Sequence, residues 1–139
     1  MDPKKWNARL IVKGILSRSD AAKAREIGAD AVIASNHGGR QLDCAISPLH
    51  ALPQIVEAAR DMPVLYDSGI RRGTDVIKAM SQGAKMVFVG RPFLYAAALG
   101  EDHAIKHAIG LLRSEIGRNM ALLGCNDLHD LQRRVRRRV

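Results

Sequence analysis

The stretch LIVKGILSRSDAAKAREIGADAVIAS, Leu10 to Ser35, decides the fold, because its outline returns 55 residues later as LYDSGIRRGTDVIKAMSQGAKMVFVG, Leu65 to Gly90. Nine positions match without a gap: Leu10/Leu65, Gly14/Gly69, Ile15/Ile70, Asp20/Asp75, Lys23/Lys78, Ala24/Ala79, Gly28/Gly83, Ala29/Ala84 and Val32/Val87. They fall at a strand exit, a helix start, one helix face, a helix stop and the next strand, so a whole strand-helix-strand unit is used twice.

Working outward from that repeat, four short apolar runs read as strands: Leu10 to Gly14, Ala31 to Ser35, Val64 to Ser68 and Met86 to Gly90. Such nearly unbroken Val, Ile and Leu runs fit parallel strands buried on both faces. Ser19 or Asp20 is the expected cap of a helix ending near Ile27, with Gly28 supplying the left-handed stop. Thr74 and Asp75 repeat the start, and Gly83 repeats the stop. Alternating strands and helices in one register describe either a (β/α) barrel or a doubly wound sheet. In the C-terminal third, Leu111, Leu112, Ile116, Met120 and Leu123 form a helical stripe expected to pack on the sheet.

Composition narrows the functional classes. At 139 residues, 47% apolar and 26% charged, the chain has the makeup of one globular domain rather than a disordered segment. No apolar run approaches the roughly 20 residues that cross a bilayer, and Met1 to Trp6 lacks the apolar centre of a secretory signal, so the expected location is cytoplasmic. Cys44 and Cys125 lie far apart with no metal-ligand spacing, which points to reduced thiols. His103 and His107 stand four apart on a helix, but no third ligand accompanies them, so no metal site is expected. Arg133, Arg134, Arg136, Arg137 and Arg138 supply five of the +8 formal charge, leaving only +3 on the rest. We therefore separate a domain over residues 1–132 from a basic tail over 133–139. No aromatic residue is interleaved with those arginines, so the tail reads as solvated and not as a nucleic-acid platform.

Ligand chemistry in either architecture gathers at the C-terminal ends of the strands. Lys13 sits near the end of the first strand, Ser35-Asn36-His37-Gly38-Gly39-Arg40 follows the second, Asp67 to Gly73 the third, and Gly90-Arg91-Pro92 the fourth. Gly38, Gly39, Gly69, Gly73 and Gly90 permit positive φ and a close approach of backbone N–H groups to an anion, for which phosphate is the natural guest. The helix opening after Gly90 would aim its N-terminus and Arg91 at it. His37 is able to accept a proton near neutral pH, and Arg40 to grip a carboxylate through paired hydrogen bonds. Lys13 inside an apolar strand calls for an anionic partner, either a ligand or an ion pair at the mouth.

K-G-I at Lys13, S-N-H-G-G-R-Q-L-D at Ser35 to Asp43, D-S-G-I-R-R-G at Asp67 to Gly73 and G-R-P at Gly90 resemble, in that order, the FMN-dependent L-2-hydroxy acid dehydrogenases and oxidases. The family includes L-lactate and mandelate dehydrogenases and glycolate oxidase, and the likeness runs from about Trp6 to Leu131. It implies an α/β fold that is the C-terminal half of a (β/α)₈ TIM barrel: four parallel strands with crossover helices. Carried over by position, His37 resembles the base that takes the substrate hydroxyl proton, and Arg40 the clamp on the substrate carboxylate. Lys13, Ser35, His37, Asp67, Ser68, Gly69, Ile70, Arg71, Gly90 and Arg91 resemble the FMN-binding set, with Lys13 near the flavin N1 and O2. Gly38-Gly39 is closer to the lactate and mandelate dehydrogenase pattern than to that of glycolate oxidases.

The departure from the family is length. The first four βα units are absent, with the tyrosines, second arginine and histidine-orienting aspartate they carry; Asp43, Tyr66 and Tyr95 match none of these. Four strands alone leave two open edges, which implies a homo-oligomer or a complementary N-terminal half as partner. The implied activity is oxidation of an L-2-hydroxy acid of the lactate or mandelate class, needing that missing half. The alternative is an inactive half-barrel that keeps a phosphate or FMN site, and a third reading gives the arginine-rich tail a polyanion. The resemblance leaves peripheral membrane association open.

Overall fold

The computed structural model describes residues 8–100 and 102–135; the expectations for Met1 to Trp6 and for Arg136, Arg137 and Arg138 lie outside them. Four strands, β1 (Ile11–Ile15), β2 (Ala31–Ala34), β3 (Val64–Tyr66) and β4 (Met86–Val87), alternate with helices α1 (Arg18–Glu26), α2 (Pro48–Ala59) and α3 (Gly73–Ser81). Three more helices follow: α4 (Arg91–Ala98), α5 (Asp102–Leu122) and α6 (Leu128–Val135). All neighbouring strands are parallel, in the order β1-β2-β3-β4. A doubly wound sheet reverses its strand order at a switch point, so this sequential order selects the barrel-type alternative.

The 55-residue repeat is physical. α1 and α3 begin and end at residues 55 apart, as do the starts of β2 and β4. Asp20 and Asp75 occupy the same place in the first helical turn, and Gly28 and Gly83 both close their helices with positive φ. The expected caps are corrected: Ser17, not Ser19 or Asp20, caps α1, its hydroxyl accepting the Asp20 N–H at 3.1 Å. In α3 the carboxylate of Asp75 reaches back to the N–H groups of Arg71 and Arg72, so the helix opens at Gly73 rather than Thr74.

Helices cover one face of the sheet. Val32, Ala34, Val64 and Tyr66 turn toward them and join Leu52, Ile55, Ile77 and Leu131 in the core. Each fully buried Leu or Ile there contributes about 1.5–3 kcal/mol of transfer free energy. The other face carries Lys13, Ile33, Leu65 and Met86 in one register across all four strands. Ile11, Met86 and Phe88 are 48%, 53% and 43% exposed, which corrects the expectation of strands buried on both faces. Two of these strands are edges, and no described layer covers this face. β3 and β4 end earlier than expected, at Tyr66 and Val87 instead of Ser68 and Gly90, whereas the other edge strand, β1, is the longest of the four.

A bulge at Gly14, φ +96°, breaks the β1 register between Lys13 and Ile15. It lets Ile15 enter the core while Lys13 stays on the open face. The α5 stripe is partly corrected. Ile116 and Met120 pack on the core, but Leu111 and Leu123 are 53% and 41% exposed. α5 comes closest to α3 at Gly73, where a Cβ would lie 2.6 Å from both the Glu115 Cβ and the Ile116 nitrogen. α6 extends through Val135, so residues 133–135 of the expected tail are helical, and Arg133 pairs with Asp130 at 3.3 Å.

Candidate active site

The loops after the four strands enclose an open cleft of about 790 Å³ at one end of the sheet. Lys13, His37, Arg40, Asp67, Ser68, Gly69, Ile70, Arg71, Gly90 and Arg91 all line it. Ser35 does not: it is 1% exposed and lies beneath the floor. Ile70 reaches the cleft only through its backbone side, since the residue is 5% exposed and belongs to the core. The lining also includes Gln41, Phe88, Val89 and Leu94, which the motifs did not single out. Phe88 and Leu94 give one wall an apolar surface; an apolar pair bracketing Gly90 was the available signal.

Lys13 and Asp67 anchor the floor. The Lys13 ammonium lies 2.8 Å from one Asp67 oxygen and donates to the Ser35 hydroxyl at 3.0 Å. The Ser68 hydroxyl donates to the other Asp67 oxygen at 2.8 Å. Burial works against ionisation of Asp67. Hydrogen bonds from Lys13, Ser35 and Ser68, with the charge of Lys13, outweigh it and hold the carboxyl below its usual 3.8. Of the two readings of Lys13, the ion pair at the mouth is present, and it faces the cleft.

The His37 loop is built from unusual backbone. His37, Gly38 and Gly39 take φ of +56°, +69° and +75°, a run of left-handed residues that turns consecutive N–H groups inward. The Asn36 side chain caps this turn by accepting the Gly38 N–H at 3.0 Å. The His37 ring rests on Gly14, where a Cβ would approach its Cε1 to 3.1 Å. No carboxylate among the described residues hydrogen-bonds this ring. Arg91, at the start of α4, donates to the Gly38 carbonyl at 2.9 Å and ties β4 to the loop after β2.

Two of the five glycines expected to take positive φ do not. Gly90 sits at φ −102°, and Gly73 is required by the close approach of α5. Tyr66 is buried in the core, and that burial, then the charges of Asp75 and Asp67, pushes its hydroxyl up to about 12. Tyr95 is 58% exposed on α4 and is not part of the lining. His103 and His107 are both exposed, and no cluster of three metal-binding side chains occurs among the described residues.

Electrostatically the cleft is cationic. Four basic side chains, Lys13, Arg40, Arg71 and Arg91, face one carboxylate, Asp67, which Lys13 already neutralises. Arg40 and Arg71 make no ion pair among the described residues. Such a surface suits a ligand with two anionic groups, and the left-handed glycines leave room for it at the backbone.

The sequence matches the FMN-dependent dehydrogenase family over residues 3–138. The chain belongs to that family. Among its relatives, an L-lactate oxidase from Nostoc sp. is 53% identical over 123 residues, covering 88% of this chain and 34% of the relative. An (S)-mandelate dehydrogenase from Pseudomonas putida is 48% identical over 126 residues, 91% of this chain and 32% of its own. A crystal structure of an active chimera of (S)-mandelate dehydrogenase superimposes with a TM-score of 0.86 at 48% identity, covering 91% of this chain and 35% of that one. A mandelate oxidase with benzoyl-formic acid gives 0.87 at 39% identity, covering 94% and 39%. This member of the FMN-dependent dehydrogenases thus spans about a third of the length of the curated relatives it matches. Its fold is the half of a TIM barrel that holds four of the parallel strands, and the cofactor of its family is FMN. No described helix is long and apolar enough to cross a membrane; one mandelate dehydrogenase structure is described as a monotopic membrane protein.

Proposed function

We propose that this chain is the FMN- and substrate-gripping half of an enzyme that oxidises an L-2-hydroxy acid of the lactate or mandelate class to the 2-oxo acid. The observation that carries the reading is the convergence of His37, Arg40 and Lys13 on one cationic cleft with Arg71 and Arg91. The donor set fits FMN. Gly69 to Arg71, Gly90 and Arg91 would receive the phosphate, Asp67 and Ser68 would face the ribityl chain, and Lys13 would meet the N1 and O2 side of the ring. Ser35 would act from below, through Lys13. Bound FMN supplies the hydride acceptor.

The remaining chemistry belongs to this chain. Arg40 holds the substrate carboxylate with its planar fork, which fixes the hydroxyl-bearing carbon relative to the cleft floor. His37 would take the hydroxyl proton on its imidazole, and FMN, when bound, would supply the acceptor for the hydride of the C–H bond, leaving a carbonyl. Lys13 would set positive charge beside the N1 and O2 edge of a bound flavin. Phe88 and Leu94 give one side of the cleft an apolar wall.

The open face, with Ile33, Leu65 and Met86 in one row, supports completion by a complementary N-terminal half, with a second copy of the chain as the other candidate partner. The cytoplasm, with or without peripheral attachment to a membrane, is the location we propose. A second reading, an inactive half-barrel that retains the FMN site, is favoured by the His37 ring having no orienting carboxylate among the described residues. The deciding experiment supplies FMN and the N-terminal half of the mandelate dehydrogenase relative, then follows the flavin absorbance band anaerobically. Bleaching by L-lactate or L-mandelate, lost in His37→Ala, supports the enzyme. A stable flavin band that neither acid bleaches supports the inactive binder.

A further inference from the structure

Ser68 has φ +85°, a left-handed backbone that glycine adopts freely and a serine only under strain. Its neighbour Gly69 has φ +75°, so a glycine at 68 would satisfy the turn without strain. What the serine adds is a hydroxyl with three neighbours. It donates to Asp67 at 2.8 Å, accepts the Gly38 N–H at 3.0 Å and lies 3.4 Å from the Ser35 hydroxyl. Ser35 in turn accepts the His37 N–H at 3.1 Å and the Lys13 ammonium at 3.0 Å. The two successive amides of His37 and Gly38 are thus each received by a serine, one at the end of β2 and one after β3, with the Gly38 N–H shared between Ser68 and the Asn36 side chain, each at 3.0 Å.

These bonds close a ring through Lys13, Asp67, Ser68, the His37-Gly38 backbone and Ser35. Within that ring Ser68 is the link from β3 to the loop that carries His37 and Arg40. We propose that Ser68 is a positioning residue. Its hydroxyl holds the His37 loop in its left-handed form and so fixes the imidazole against Gly14, acting through the backbone, a role separate from any contact with the ribityl chain. This rests on the reading of His37 as the proton acceptor, but it concerns the order of the loop in the chain by itself.

The test uses the full chain, labelled for NMR, with Ser68→Gly and Ser68→Ala. Ser68→Gly removes the hydroxyl and also the strain, so a side chain that merely fills space predicts a melting temperature that rises with no change in the loop. The positioning role predicts an unchanged or raised melting temperature together with hydrogen exchange at the Gly38 amide faster by about fivefold or more. The nuclear Overhauser contact between His37 Hε1 and the Gly14 α-protons weakens in both variants. Retention of Gly38 protection and of that contact in both variants overturns the proposal. So does a uniform loss of protection across the sheet, which marks a global role. FMN binding and turnover enter neither readout, so failure here leaves the proposed activity to its own bleaching test.

Discussion

Replacing Asp67 by Asn keeps the shape of the side chain and removes its charge, leaving the Lys13 ammonium beside a neutral amide. The pair is only partly screened, with side chains 42% and 20% exposed for Lys13 and Asp67. Its worth lies between an exposed ion pair, about 0.2–1 kcal/mol, and a sheltered charged hydrogen bond, about 1.5–3 kcal/mol. A loss of about 1–2 kcal/mol, or roughly 3–8 °C in melting temperature for a chain of this size, is expected at pH 7. The sign with pH follows from the depressed carboxyl. A group whose folded pKa is lowered contributes fully above its unfolded value, here 3.8, and loses that contribution as the pH falls through the lower folded value. The gap between wild type and Asp67→Asn should therefore be full at pH 7 and close on acidification below 3.8. Melts followed by circular dichroism across that range measure it. A gap that is absent at pH 7, or that keeps its size in acid, refutes the assignment of Asp67 as the carboxylate that neutralises Lys13.

Gly14→Ala puts a methyl 3.1 Å from His37 Cε1 on a backbone at φ +96°. It should cost about 1–3 kcal/mol in denaturant melts and shift the His37 ring resonances, whereas Gly28→Ala, with open space around it, should leave those resonances in place. Leu131→Ala removes a fully buried side chain that holds α6 in the core, and urea unfolding should show a loss of about 2–5 kcal/mol.

The fold was legible because it was written twice. The strand-helix alternation, the matched positions of α1 and α3 and the strand-end location of the polar motifs follow from the repeat, while the helix caps moved by one to three residues and the repeat alone left the strand order open between a barrel and a doubly wound sheet. What stayed hidden depends on contacts between distant residues or on a missing layer. The exposure of Ile11 and Met86 reflects an uncovered sheet face, which the apolar runs alone do not reveal but which four strands without the rest of a barrel imply. Leu111 and Leu123 have the spacing of core residues yet stay exposed, Leu123 lying just past the end of α5. In the cleft, the motifs named the charged and glycine residues, but the burial of Ser35 and the two-serine hold on the His37 loop arise from hydrogen bonds between loops that only the folded sheet brings together. Arg91 shows the same limit: its tie to the Gly38 carbonyl joins residues 53 positions apart.

The central claim is that the cationic mouth of this half-barrel holds a flavin by its phosphate. Titrating the purified chain with FMN and, separately, with riboflavin while following flavin fluorescence tests it most directly, since the two ligands differ only in that phosphate. Tighter binding of FMN, with the advantage shrinking in Arg71→Ala and in high salt, is the predicted result. Equal binding of the two flavins, or no binding of either, contradicts it.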